Sequence, residues 1–460
     1  MPIKISANYK EAFKDADIRG VYPHELDEEV TYLIARAFVD EFSLSKVLVA
    51  RDMRLSSVAL HEAFCKGVTD AGADVIDIGL MDTPALYFAS GSQELPGVVI
   101  TASHSPKDYN GLKLVLPGAV PLTEKHGLGA IRKRMEKGIF KEVEKRGKVL
   151  LKDIRKAYIK FVLAGVKPKN FTGLKGAVDC GNGMSGVVMP LLAPKLPIKF
   201  TTLFPELDGR FPNHGSDPTL KKNQKAISKL LQSQDHDFGV AFDGDADRVA
   251  FFDETGRFVN SAAIGALIAE RLLLKNPGAK IVYTNLTSRV YEERIKAAGG
   301  LPVIARVGHA FIKETMREKD ALFGCEHSGH YYYKDYFYTD SVILTLLYVL
   351  EAYAEAKKRG KSFAEMMKPY HGYEQTEDVI VEVKNRPKAL ASVYEYLMSK
   401  KPQKMKKYDG FMVDYGEVWG SVKISVTEPA LKMMFEGYKK KTAQTLQDEV
   451  AAFVRSIAND

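Results

Sequence analysis

Apolar residues return every three or four positions from Asp27 to Phe42, at Val30, Leu33, Ile34, Ala37 and Phe38, which predicts a helix; the apolar run Val47–Ala50 that follows predicts a strand. The two patterns keep alternating. Ser56–Ala71 is expected as a helix, Val75–Ile78 as a strand, Leu86–Ala89 as a turn or two of helix and Val98–Ile100 as a strand. Strand and helix taking turns with short connections is the pattern of a mostly parallel sheet covered by helices. It returns in Lys175–Cys180, a helix near Ala226–Leu231 and Phe238–Phe242, and again from Ala262 to about Ala356. Beyond Lys368 the pattern changes. Val379–Val383, Phe411–Val413 and Val422–Ser425 are expected as strands, and Ala389–Leu397 and Thr442–Ile457 as helices. The expected fold class is therefore α/β: three related α/β domains with mixed, mostly parallel sheets, plus a C-terminal α+β domain. The expected boundaries are 1–150, 151–256, 257–368 and 369–460.

Length alone allows about three domains, at roughly 100–200 residues each, so the fourth rests on the change of pattern. With 45% hydrophobic and 27% charged residues, the chain has material for several cores and no case for general disorder. The net charge of +8 is too mild to imply nucleic acid and suits attraction of small anions. Cys65, Cys180 and Cys325 stand far apart with no Cys-x-x-Cys pair, which argues against zinc or redox chemistry and for a reduced, cytoplasmic location. The first twenty residues lack the unbroken apolar core of a secretory signal, and the run SVILTLLYVLEAYA is too short to span a bilayer, so no membrane association is expected. Between Glu124 and Asn170 stand 15 Lys or Arg against 5 Asp or Glu, interleaved with Ile131, Ile139, Val143, Ile154, Tyr158 and Phe161. Such regular apolar insertion favours helices with solvated basic faces, bridging two domains, over a nucleic-acid surface.

Candidate chemistry gathers in four places. The loop ITASHSPKDYNGLK, Ile100–Lys113, follows an apolar strand, and ligands of α/β sheets bind beyond the carboxyl ends of strands. Its Ser103, flanked by Ala102 and His104, could attack phosphorus or carbon given a base or a metal. FGVAFDGDADR, Phe238–Arg248, sets Asp243, Asp245 and Asp247 at i, i+2 and i+4, expected on one side of an extended segment as hard oxygen ligands for Mg²⁺ or Ca²⁺. An EF-hand is excluded because position 6 is Arg248 rather than Gly and the flanks are strand-like. Arg248 could hold an anionic oxygen in two-point fashion. GCEHSGH, Gly324–His330, expected to follow a strand over Ala321–Phe323, offers Glu326, Ser328 and His330 along one edge, groups that suit sugar hydroxyls and fit no familiar zinc spacing. KISVTEPALK, Lys423–Lys432, gathers Lys423, Ser425, Thr427 and Lys432 around an expected turn closed by Pro429, a composition suited to phosphate.

In order and spacing the four loops resemble those of the α-D-phosphohexomutase superfamily, most like its phosphomannomutase/phosphoglucomutase group. The resemblance covers the whole chain and extends to DIRG at Asp17–Gly20, RDMRLSS at Arg51–Ser57, FPNH at Phe211–His214, GHAFIK at Gly308–Lys313 and the long match Ser328–Glu351. It implies four domains around a central cleft and an intramolecular phosphotransferase, an isomerase. By that likeness Ser103 carries a phosphoryl group, and Ser103, Asp243, Asp245 and Asp247 hold Mg²⁺. Arg19, His104, Lys113, Arg248 and His309 belong to the catalytic set, with Lys113 and His309 handling protons at the sugar hydroxyl. Gly308, Glu326, Ser328, His330, Lys423, Ser425, Thr427 and Lys432 bind substrate, Glu326 and Ser328 reading the 3- and 4-hydroxyls that glucose and mannose share. The reaction implied interconverts hexose 1-phosphate and hexose 6-phosphate, of mannose or glucose, through a hexose 1,6-bisphosphate that also serves as activator.

For Lys113 to accept a proton it would have to be neutral, which requires cationic surroundings. Several positions depart from the family pattern. Ala16 stands where Tyr is common, Ser105 where Asn is usual, and Thr287 where Lys is common. Lys423 and Lys432 replace arginines, and Val426 replaces Asn or Gly. Lysine lacks the planar fork of arginine, so looser geometric selection of the distal phosphate is expected. A phosphoglucosamine mutase, a phosphatase and a catalytically silent sugar-phosphate binding protein are the alternatives; intact Ser103 and three aspartates argue against the last. Hexose phosphates are the expected partners, with the protein a monomer or small homo-oligomer.

Overall fold

The computed structural model describes residues 8–425 and 429–459. They form two compact units, one of residues up to 260 together with 328–366, the other of 261–327 together with 367–460.

The first unit holds two sheets and a hairpin. In the first sheet the strands run in the order Ile18–Val21, Tyr109–Leu116, Gly97–Ile100, Lys46–Arg51, Asp74–Leu80, Val149–Leu151. Lys46–Arg51 lies parallel between Gly97–Ile100 and Asp74–Leu80, while Tyr109–Leu116 returns antiparallel to both its neighbours. Half of the segment expected as a loop after Ile100 is therefore strand, and only 101–108 connects. Helix Glu28–Phe42 starts at Asp27, whose carboxylate accepts from the Val30 amide at 2.8 Å, and buries the five apolar positions that predict it. Helix Thr83–Gln93 is longer than its sequence suggests, because Thr83–Gly91 are buried all round and no period marks one face.

The basic stretch divides. Helix Leu128–Lys137 packs on Glu28–Phe42 within the same sheet's cover, so it bridges nothing, and Ile139 is exposed. Helix Arg155–Val162 does reach across: the Phe161 and Phe88 rings lie 5.2 Å apart. Between them Val149–Leu151 is an edge strand, hidden in the sequence by its brevity and its flanking lysines.

The second sheet orders Phe258–Val259, Val249–Asp253, Phe238–Phe242, Leu174–Asp179, Ile198–Leu203, parallel in its last three strands and antiparallel in the first three. A hairpin of Tyr331–Tyr333 and Thr339–Asp340 precedes the buried helix Val342–Lys358.

In the second unit Leu301–Ala305, Lys280–Thr284 and Phe323–Cys325 pair parallel. The strand expected over Ala321–Phe323 thus lies two residues later. The C-terminal sheet is antiparallel, in the order Glu374–Gln375, Ala430–Gly437, Val418–Ile424, Phe411–Asp414, Lys404–Lys407, with Val379–Glu382 also on Ala430–Gly437. Helices Arg386–Ser399 and Lys440–Ser456 cover it. Three α/β layers and a sheet-rich C-terminal domain agree with the expected fold class. Among the described residues no helix is long and apolar enough to cross a membrane.

Candidate active site

Ser103 lies three residues past the carboxyl end of Gly97–Ile100, and Asp243 opens the turn after Phe238–Phe242. Both strands end where ligands of α/β sheets bind. The Ser103 hydroxyl donates to Asp243 Oδ2 at 2.8 Å. Its backbone is left-handed, with φ +50°, a strained conformation for a residue other than glycine. Across from it Gly244 admits no side chain, because a Cβ there would lie 2.5 Å from the Ser103 carbonyl oxygen.

The three aspartates do not lie along an extended segment. Residues 243–248 form a turn, with Ala246 left-handed at φ +54°, and Asp243 Oδ1 accepts from the amides of Asp247 and Arg248 at 3.0 Å each. The turn, rather than strand alternation, brings Asp243, Asp245 and Asp247 together, with one oxygen of each lying within 4.8 Å of the others. All three are buried. The Lys113 ammonium donates to Asp245 Oδ2 at 2.7 Å and Asp247 Oδ2 at 2.5 Å. Burial, reinforced by Asp247 and Asp245, pushes the Asp243 carboxyl well above the usual carboxylate range. Asp245 Oδ1 is buried without a hydrogen-bond partner. Three carboxylates against one ammonium and, 3.9 Å from Asp243, the Arg248 guanidinium, with an orphaned oxygen among them, fit a hard dication bound through oxygen.

The surroundings of Lys113 differ from the cationic ones that a proton-accepting role requires. Burial opposes its charge, but Asp245 and Asp247 outweigh burial and raise its pKa. His104 is the neutral group beside the serine. Its Nδ1 lies 3.3 Å from Ser103 Oγ, and burial, then Arg248 and Arg19, hold its pKa well below the usual histidine range. Arg19 donates to Asp17 at 2.5 Å and to Ser105 Oγ at 3.2 Å, which gives the hydroxyl at that departing position a partner. Arg248 Nε donates to His330 Nε2 at 3.0 Å, while His330 Nδ1 faces the Asp247 carbonyl at 3.1 Å, which fixes the ring as neutral and Nδ1-protonated. His330 is buried and braces the acidic turn. Ser328 Oγ is buried without a hydrogen-bond partner among the described residues.

Two contributors had no sequence argument behind them. Thr83 bonds Asp245 twice, through Oγ1 to Oδ2 at 2.6 Å and through its amide to the carbonyl at 3.1 Å. Nothing in its neighbourhood marks it. Arg54 is fully buried under the serine loop, donating to the carbonyls of Ser103, Ser105, Pro106 and Tyr109. Its signal was an Arg and an Asp directly after an apolar strand, within RDMRLSS.

The second unit holds Gly308, His309, Glu326, Lys423, Ser425 and Lys432; Thr427 and Val426 lie outside the described residues. Gly308, with φ +126°, caps helix His309–Lys319. Lys423 and Lys432 face each other directly on neighbouring strands, so Lys432 lies on a strand, Ala430–Gly437, that the sequence did not lead one to expect. Like charges in that register repel unless neutralised. Asp409 holds Lys423, and Asp378 holds both Lys432 and, at 3.4 Å, His327. Burial disfavours the Asp378 charge, yet His327 and Lys432 pull its pKa well below the usual range. Burial lowers the pKa of Lys423 against the pull of Asp409.

Family models described as phosphoglucomutase/phosphomannomutase, alpha/beta/alpha domains I, II and III, match residues 10–142, 156–256 and 260–371. The phosphohexose mutases of Xanthomonas campestris pv. campestris (strain B100) are 36% identical over 427 residues, 92% of this chain and 94% of theirs. The phosphomannomutase of Salmonella montevideo is 36% identical over 432 residues, again 92% and 94%. An X-ray structure of a phosphoglucomutase/phosphomannomutase family protein from Burkholderia thailandensis superposes with a TM-score of 0.88 at 30% identity, covering 97% of this chain and 98% of that one.

Proposed function

Because the chain belongs to the phosphoglucomutase/phosphomannomutase family, phosphohexomutases of the α-D-phosphohexomutase superfamily, we propose that it interconverts the 1- and 6-phosphates of mannose and glucose through a phosphoryl group carried on Ser103. One observation carries the reading: the Ser103 hydroxyl, on a strained left-handed residue, donates to an aspartate of a buried acidic trio.

In this reading the sugar hydroxyl attacks the phosphorus on Ser103, the Oγ–P bond breaks, and a hexose 1,6-bisphosphate forms. The sugar turns over, and its other phosphate returns to Ser103. Phosphoryl transfer asks for alignment and charge neutralisation above all. Ser103, Asp243, Asp245 and Asp247 would hold Mg²⁺, which when bound neutralises negative charge on the transferring group. Arg19 and Arg248 supply cationic donors nearby, each already oriented by a neighbour. Lys113 neutralises the carboxylates. His309 takes the proton of the attacking sugar hydroxyl and returns it to the sugar oxygen that gives up the other phosphate, while His104 gives a proton to Ser103 Oγ as it leaves phosphorus and takes it back when the serine is rephosphorylated. Glu326, Ser328 and Gly308 read the sugar, while Lys423, Ser425, Thr427 and Lys432 hold its distal phosphate. The orphaned Ser328 hydroxyl supports a ligand role, and the likeness to phosphomannomutases supports mannose.

Domain limits of 1–150, 151–256, 257–368 and 369–460 complete the proposal. The test compares mannose 1-phosphate, glucose 1-phosphate and glucosamine 1-phosphate with Mg²⁺ and a trace of hexose 1,6-bisphosphate. A kcat/KM at least about tenfold higher for glucosamine 1-phosphate would replace this reading with a phosphoglucosamine mutase. Intact mass should show a phosphorylated fraction that is absent in Ser103→Ala, whose turnover falls by about a thousandfold or more.

A further inference from the structure

We propose that Arg54 is a positioning residue for the chemistry at Ser103: its guanidinium binds four carbonyls of the serine loop and thereby fixes the serine's left-handed backbone and the aim of its hydroxyl at Asp243. The proposal rests on the reading of Ser103 as phosphoryl carrier.

The guanidinium is planar, permanently charged and rich in donors held at fixed angles. Nη2 donates to Ser103 O at 2.8 Å and Ser105 O at 2.6 Å; Nη1 donates to Pro106 O at 2.7 Å and Tyr109 O at 2.9 Å. Those carbonyls span the whole connection between the strands Gly97–Ile100 and Tyr109–Leu116. One rigid side chain thus replaces the ladder that a loop lacks.

The cation is itself anchored from three sides. Asp52 Oδ2 lies 3.4 Å from Nε, and Asp52 Oδ1 accepts the Arg54 amide at 2.9 Å and the Ser57 hydroxyl at 2.5 Å. Asn110, just past the loop, donates to Ser57 Oγ at 3.0 Å. On the far side the Phe211 ring sits 5.3 Å from the guanidinium carbon, and Gly209 is so close that a Cβ would lie 2.7 Å from Arg54 Cα.

The Ser103 carbonyl that Arg54 holds is the same oxygen that leaves no room for a side chain at Gly244, next to Asp243. Releasing that carbonyl therefore moves the serine relative to the aspartates directly. Misplacing a reacting group by about 1 Å costs on the order of a hundredfold in rate. A lysine at position 54 keeps the charge but, as a compact point donor, cannot span four carbonyls.

The experiment measures kcat, KM, melting temperature and the rate at which glucose 1,6-bisphosphate phosphorylates Ser103, by intact mass, for the parent protein, Arg54→Lys and Arg54→Ala. Arg54→Lys should keep KM within about threefold and lose about a hundredfold in kcat, with phosphoryl loading slowed in parallel. Guanidinium ion at millimolar concentration should restore part of the kcat of Arg54→Ala; if that variant does not fold, the lysine variant carries the test alone. Loading and kcat in Arg54→Lys within about threefold of the parent would overturn the proposal, as would a loss of kcat matched only by unfolding at the assay temperature. Failure of the parent protein to load Ser103 at all would instead overturn the phosphoserine reading beneath it.

Discussion

Two charge clusters, a buried one in the first unit and a partly exposed one in the second, combine acidic and cationic side chains in opposite proportion. In the first unit three aspartates face Lys113 and, 3.9 Å from Asp243, Arg248. In the second, Asp409 serves Lys423 and, at 3.7 Å, Arg306, while Asp378 serves Lys432 and His327. Isolated buried charge is costly, so each cluster is driven toward neutrality. The first has negative charge left over and is suited to a cation; the second has cationic donors left over and is suited to an anion. The titration behaviour follows the inventory. Burial and its fellow carboxylates push the Asp243 pKa up, whereas His327 and Lys432 overcome burial to pull the Asp378 pKa down. What a buried site takes up is written in the charge its own residues leave unmatched.

The sharpest way to break this contrast is to remove the surplus on the acidic side. Asp245→Ala should lower Mg²⁺-dependent turnover by about a thousandfold, and a chelator should do the same to the parent protein reversibly. Circular dichroism should show the variant folded. Turnover that survives both treatments would sink the metal site.

The cationic side gives a smaller and opposite pair of effects. Lys423→Met should raise KM for hexose phosphate about 10- to 100-fold while kcat changes by a few-fold at most, the loss expected for one charge-assisted contact. Asp409→Asn keeps an acceptor for the Val307 amide, now 3.0 Å away, but withdraws a negative charge, so KM should fall by a few-fold. Steady-state kinetics at constant ionic strength check both, and a rise in KM for Asp409→Asn would show that the aspartate orients Lys423 rather than competing for it.

The sequence made the two clusters unequally visible. Asp243, Asp245 and Asp247 sit within five residues after an apolar strand, so their convergence was legible, although a left-handed Ala246 achieves it where strand alternation was expected. Lys423 and Lys432 were legible as a pair of cations, but not as cross-strand neighbours, because strand Ala430–Gly437 was not expected after the turn that Pro429 closes. Asp378 and Asp409 lie far from them along the chain, and no local pattern announces a partner so remote. Arg54 was hidden for the same reason: its four acceptors are main-chain carbonyls, which every residue has. The helices over Glu28–Phe42 and Lys440–Ser456 were legible because one face is buried and the other wet; Thr83–Gln93, buried all round, showed only its middle.

A third arrangement tests the rule at its limit, a buried carboxyl with no cationic partner among the described residues. Asp82 stands before helix Thr83–Gln93, with Oδ2 accepting from the Tyr158 hydroxyl at 3.1 Å and Oδ1 buried without a partner. Burial pushes its pKa up from 3.8 to about 8, only partly opposed by the Tyr158 bond. A proton is the only cation this site can take. An acid whose pKa is raised by folding gives stability that is complete below about pH 4 and is lost as the pH climbs through about 8. At about 1.4 kcal/mol for each unit, even a discounted shift is worth a few kcal/mol over that window. Asp82→Asn carries no charge to lose, so it should match the parent protein near pH 5 and exceed it in denaturant midpoint near pH 9, flattening that part of the profile. The same comparison at Asp378 should run the other way, with Asp378→Asn costing stability at neutral pH, because there the carboxylate already has its cations. Parallel pH profiles for Asp82→Asn and the parent protein would mean that Asp82 keeps its charge without a cation, and the inventory rule would fail where it is most exposed.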